Sequence, residues 1–214
     1  MKNSTLLLAF FLIMALSPQL KAQELNFIVG YNSSSLALQG DSVQTDGIKS
    51  RPGFHIGASV NIKINDYLDF QPGLTFQSKG VESEVSFFGI SQKSSISLYY
   101  LDIPLNLVGK YDINKQLSAY LSAGPYVGIG LSGEVDFEVN AFGNVESGSD
   151  PVEWGNDFQR LDFGLGLGAG VNYQNFILGF SYDLGLANIL ADPNPDESVK
   201  NNVFRISVGY TINL

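Results

Sequence analysis

From residue 161 to 173 the chain alternates without a break: Leu161, Phe163, Leu165, Leu167, Ala169, Val171 and Tyr173 take one phase, Asp162, Gly164, Gly166, Gly168, Gly170 and Asn172 the other, and Arg160 extends the second. Period two over this length predicts a strand with one apolar face and one face that is charged or bare backbone. Residues 117–131 repeat the pattern, setting Leu117, Ala119, Leu121, Ala123, Pro125, Val127, Ile129 and Leu131 against Ser118, Tyr120, Ser122, Gly124, Tyr126, Gly128 and Gly130. Residues 203–214 set Phe204, Ile206, Val208, Tyr210, Ile212 and Leu214 against Arg205, Ser207, Gly209, Thr211 and Asn213. Further strands are expected near 25–33, 53–64, 68–79, 97–111 and 176–187, which makes eight. Several exceed the roughly 9–11 residues a tilted strand needs to cross a bilayer.

The connections between these strands alternate in length. Those at 65–67, 112–116 and 172–175 have tight-turn chemistry, whereas those near 34–52, 80–96, 132–158 and 188–202 are long and rich in Ser, Gly, Asn and acidic residues. Short turns on one rim and long loops on the other are the signature of an outer-membrane barrel. The expected fold is therefore all-β: a transmembrane, eight-stranded, antiparallel up-and-down β-barrel with its apolar face toward lipid and both termini on the short-turn, periplasmic side. A soluble barrel or sandwich with an apolar core is the competing reading. The loop alternation and the uncharged apolar faces speak against it.

Composition sharpens this picture. Of the 214 residues 44% are hydrophobic and only 15% charged, with 23 Gly, 1 His and no Cys. The missing cysteines exclude disulfides and thiolate metal sites, and one His cannot build a multi-histidine centre. A net charge of −9 argues against nucleic acid as a partner. Residues 1–22 carry Lys2, an apolar run from Leu6 to Leu16, Pro18 and the small Ala22, the layout of a secretory signal peptide, which leaves 23–214 as the barrel domain.

The inward phase carries His55, Lys63, Asp69, Lys79, Asp102, Lys110, Arg160, Asp162, Asp183 and Arg205. With His55 neutral these are five basic and four acidic groups, nearly balanced. An eight-stranded barrel is just wide enough for side chains to fill, so they are expected to pair across the lumen and leave no pore. Catalysis is not expected: a Ser/His/Asp arrangement has only His55 as its base, with Asp69 or Asp102 as conceivable partners, and no cofactor is implied. The acidic segment 132–158 places Glu134, Asp136 and Glu138 on the continued inward phase. Such a ladder is a solvated rim in the first instance and a weak candidate site for a divalent cation in the second.

The stretches 68–80 (LDFQPGLTFQSKG), 100–105 (YLDIPL), 123–126 (AGPY), 162–170 (DFGLGLGAG), 182–185 (YDLG) and 206–210 (ISVGY) resemble the PorT-type outer-membrane β-barrel family of Bacteroidetes over nearly the whole mature chain. That resemblance implies a porin-family barrel in the Gram-negative cell envelope, mostly of unassigned role, whose founding member is associated with gliding and type IX protein secretion. It implies no catalytic motif. Ser207 to Leu214, with Gly209, Ile212 and Leu214, resembles the assembly signal read by the barrel-insertion machinery. The expected role is structural or interaction-based: adhesion, envelope integrity or support of secretion. Its partners would be outer-membrane lipid and lipopolysaccharide, and envelope or secretion-apparatus proteins met through the acidic loops. A narrow passive porin is the alternative, and a lipid-modifying barrel enzyme a second one.

Overall fold

The computed structural model describes residues 22–39, 47–192 and 197–214. The expected export segment lies outside them except for Ala22, as do residues 193–196 of the expected connection near 188–202. Nine strands follow in chain order: β1 (Ala22–Gln39), β2 (Ile48–Asn65), β3 (Leu68–Phe87), β4 (Ile90–Asp112), β5 (Leu117–Ala141), β6 (Asn144–Pro151), β7 (Leu161–Tyr173), β8 (Phe176–Gly185) and β9 (Ser198–Asn213). All pairings are antiparallel, and eight strands close a ring, β1-β2-β3-β4-β5-β7-β8-β9, sealed by the β1–β9 ladder. The ninth, β6, pairs with β5 alone, along Glu134–Ala141, above the level where β5 pairs with β7.

Period two explains both faces. Phe27, Val29 and Tyr31 of β1, Leu161 to Leu167 on alternate positions of β7, and Phe176, Leu178, Phe180, Tyr182 and Leu184 of β8 are all exposed, while Asn26, Asn32, His55, Gln77, Lys79, Asp102 and Asp162 are buried. The apolar surface is therefore the outer one, as lipid requires. Among the described residues no helix is long and apolar enough to cross a membrane. Phe54, Phe76 and Tyr99 pack side by side on this outer face, the last two stacked at 6.0 Å.

The short turns fall where tight-turn chemistry predicts them. Asn65 Oδ1 accepts from the Tyr67 amide at 2.9 Å, and Asn114 Oδ1 accepts from the amides of Gln116 and Leu117. The expected long loops differ from the reading: much of 80–96 and 132–151 is strand, so β3, β4 and β5 run 20, 23 and 25 residues and rise far beyond a bilayer's needs. Two hairpin turns end them, Phe88-Gly89 and Phe142-Gly143, each with positive φ at both central residues. That is the type I′ geometry that matches strand twist.

Candidate functional site

The interior is layered. Nearest the long hairpins an apolar plug closes the barrel. After β6 the chain folds back inward, and Val152 and Phe158 pack with Leu98 and Tyr100 of β4, Ile189 and Val199, flanked by Leu36, Ile96, Val135, Trp154 and Leu190. The turn 153–158 is locked by the Glu153 amide donating to Asp157 Oδ2 at 2.7 Å, and the Gln159 amide ties it to the Ile189 carbonyl at 2.7 Å. Trp154 meets Tyr100 edge-on at 5.7 Å and lies over Gly130, where a Cβ would sit 2.3 Å from its ring. Trp154 is the sole tryptophan of the chain, so its fluorescence reports on the plug. Acrylamide is expected to quench the folded protein only weakly, rising several-fold on unfolding; quenching as strong as that of free tryptophan would show the plug unseated.

Beneath the plug lies a buried ion layer. Lys79 Nζ contacts Asp162 at 2.8 Å and Asp102 at 2.9 Å, over the rings of Tyr100 and Tyr126 at 4.6 and 4.7 Å. Gln77 donates to Asp102, and Asn201 to Asp162 at 3.0 Å. Gly128 faces Asp102, whose Oδ1 would lie 2.4 Å from any Cβ there, so the glycine makes room for the carboxylate. A level lower, Arg205 binds Asp183 at 2.8 Å and Ser181 at 3.0 Å, and His55 sits wholly buried between Asn32 and Ser207. At the short-turn end Lys110 bridges Asp69 at 2.6 Å and Glu24 at 2.9 Å. There a cavity of about 110 Å³ opens among Asn26, Asn61, Gln71, Tyr120, Arg205 and Ser207.

Two expected members of the network lie outside it. Arg160 precedes β7 and is exposed, so Asp162 takes Lys79 instead. Lys63 is exposed at the short-turn rim and pairs with Asp66 at 2.8 Å, whose carboxyl its hydrogen bond holds below the usual range. Long cationic side chains near a strand end reach water at little strain, and period two says nothing about depth. Glu24, Asn32 and Ser207 join the interior beyond the expected network, and among the described residues its charges become three basic, Lys79, Lys110 and Arg205, against five acidic, Glu24, Asp69, Asp102, Asp162 and Asp183.

The acidic ladder is corrected more sharply. The β4–β5 register steps from Tyr100↔Gly130 to Tyr99↔Ser132, leaving Leu131 as an extra residue. A bulge inverts the phase beyond it. Glu134, Asp136 and Glu138 therefore share the outer face with Tyr99, opposite Ser97, Ser95 and Lys93, while Gly133 and Val135 turn inward to the plug. Ser149 donates to Glu134 at 2.5 Å, and among the described residues no three carboxylate or histidine groups converge as a metal site. Asp136 and Glu138 line, with Lys49, Glu82 and Glu84, an outer groove of about 630 Å³, where Lys49 bonds Glu84 at 2.8 Å and holds that carboxyl below its usual range. Gly209 and Ile212 lie in β9, and Leu214 is exposed just beyond it.

The family model described as "Outer membrane protein beta-barrel domain" matches residues 19–191. The chain belongs to that family. Solved structures with the barrel fold include Neisserial surface protein A, at 17% identity, covering 91% of this chain and 98% of that one, with a TM-score of 0.53. OprG of Pseudomonas aeruginosa matches at 11% identity, 91% and 98% coverage and a TM-score of 0.43. Ail, the attachment invasion locus protein of Yersinia pestis, matches at 19%, 89% and 99%, with a TM-score of 0.39. No curated protein matches the chain. As a family member the chain is a small outer-membrane β-barrel protein, and it is the fold, here a ring of eight strands, that it has in common with Neisserial surface protein A.

Proposed function

We propose that this outer-membrane barrel is an interaction protein, anchored by a ring that conducts nothing and meeting envelope or surface partners through its tall hairpins. The observation that carries the reading is the pair Phe88 and Phe142. Both have positive φ, 43° and 51°, and are 84% and 80% exposed. Bulky residues rarely take that conformation, and such strain persists where the surrounding structure or the function maintains it. The two tips adjoin: the Phe142 amide donates to the Gly89 carbonyl at 3.2 Å. Val85, Ile90 and Val145 are exposed in the same hairpins, beside the charged groove of Lys93, Asp136 and Glu138. An apolar tip rimmed by charge has the anatomy of a binding patch.

Export through residues 1–22, insertion by the barrel-assembly machinery through Gly209, Ile212 and Leu214, and contact with lipopolysaccharide along the outer groove complete the proposal. The PorT-type likeness adds a Bacteroidetes envelope and, among interaction roles, support of secretion or adhesion. The plug and the ion layer weigh against the narrow porin. In planar bilayers the purified barrel is expected to give no conductance steps, and a stable step would end the filled-lumen reading. Photo-crosslinking from residue 143 in cells is expected to trap a defined envelope partner, and Phe88→Ser with Phe142→Ser to abolish it while the folded barrel persists. Undiminished crosslinking by that double variant would refute the tip as the contact.

A further inference from the structure

Asn32, His55 and Ser207 form a relay that the interaction role leaves unused. They stand on β1, β2 and β9, and Gly30 brings them together: it pairs with His55 on one side and with Ser207 on the other. A Cβ on Gly30 would lie 2.7 Å from His55 Cε1, so the glycine clears the path by which the imidazole reaches β9. Asn32 Nδ2 donates to the Ser78 carbonyl at 2.8 Å, which turns Asn32 Oδ1 toward His55 Nδ1, 3.1 Å away. An amide oxygen only accepts, so Nδ1 carries the ring proton and Nε2 keeps a lone pair. That lone pair accepts from the Ser207 hydroxyl at 2.9 Å. The order is that of a nucleophile, a general base and the group that orients the base.

We propose that Ser207 and His55 are the catalytic nucleophile and base of a site that hydrolyses short acyl esters, with Asn32 as its positioning residue. Ser207 lines the cavity of about 110 Å³ at the short-turn end, beside Arg205, Ile28 and Thr211. One water fills roughly 10–15 Å³ of such space. The cavity is therefore room for roughly seven to eleven waters, enough for a short acyl group and its alcohol reaching it from the periplasmic side and too little for a long fatty chain. Ser207 Oγ bonds to the acyl carbon while its proton passes to His55 Nε2 and the carbonyl π pair moves onto the oxygen. Arg205 commits two donors to Ser181 and Asp183 and has others to offer that oxyanion. Return of the pair breaks the bond to the alcohol oxygen, which leaves with the proton from Nε2. A water then repeats both steps on the acyl-serine, releasing the carboxylic acid and restoring Ser207.

The test uses the refolded full chain with a small fluorophosphonate, the modified residue being mapped by mass spectrometry, together with p-nitrophenyl acetate turnover. A single label on Ser207 is expected. It should vanish in Ser207→Ala, fall roughly 100-fold or more in His55→Gln, and persist in Ser132→Ala, a serine on the outer face opposite Tyr99 and away from the cavity. Asn32→Asp, which also accepts from Nδ1, should keep the labelling rate within a few-fold, and Asn32→Leu should lose it. An unlabelled folded wild type, or a label mapped to any other residue, overturns the proposal. Because the mapping is done on the wild type, a variant that fails to fold does not blunt the result.

Discussion

Replacing Lys79 with Met is expected to lower the unfolding free energy by about 3–5 kcal/mol, the scale of a broken buried ion pair. Lys79 is wholly buried and holds two carboxylates, Asp162 at 2.8 Å and Asp102 at 2.9 Å. Methionine keeps most of the volume, so the loss would be electrostatic: two carboxylates remain in a poorly solvated layer without their cation. The geometry supplies a control. Lys79→Met combined with Asp102→Asn and Asp162→Asn removes the charges on both sides and should recover most of the stability, because a fully neutralised site lacks the desolvation penalty that a broken one carries. Urea unfolding in detergent micelles, followed through Trp154, measures both variants. A Lys79→Met loss below about 1 kcal/mol, the scale of exposed ion pairs, would mean that water solvates this layer and that Lys79 is not its hub.

The ring was legible because lipid imposes an outer apolar phase on every strand, and period two survives from Leu161 to Tyr173 without interruption. The interior was legible only as a phase. Lys79, Asp102, Asp162, Asp183 and Arg205 were found on it, but their partners depend on depth, which alternation does not encode; hence Arg160 and Lys63 were placed inside although both reach solvent. A single extra residue, Leu131, reversed the reading of Glu134, Asp136 and Glu138, since nothing in Gly130-Leu-Ser-Gly133 distinguishes a bulge from continued strand. The plug escaped for a different reason. Val152, Trp154 and Phe158 are scattered among Gly, Asn and acidic residues, and Ile189 stands in another connection, so only the closed ring brings them together. Asn32 and Ser207 carried a faint signal: each lies on the polar phase of its strand, but their meeting at His55 needs the β1–β2 and β1–β9 registers.

Gly80→Val is expected to be nearly as damaging as the loss of Lys79 beside it, by a route that involves no charge. Gly80 has φ +141°, which L side chains rarely adopt, and a Cβ there would lie 1.8 Å from the Ile96 carbonyl oxygen of β4. That oxygen belongs to the backbone of a neighbouring strand, so relief requires β3 and β4 to part rather than a rotamer to turn. The site is also where the β2–β3 ladder skips between Ser50↔Val81 and His55↔Gln77, and where Ser34 Oγ donates to the Gly80 carbonyl at 3.0 Å. Strain of this class runs to about 1–3 kcal/mol, and the broken ladder adds to it, so a total near or above 3 kcal/mol is expected from the same urea titration. Gly109→Ala on β4 is the matched control: its Cβ would meet nothing nearer than 4.0 Å and its φ is ordinary. That change should stay within about 0.5 kcal/mol. If both variants unfolded alike, glycine content rather than this one backbone position would govern the sheet; if Gly80→Val alone fails, the adjacent Lys79 and Gly80 join a charge hub to the bend that seats it.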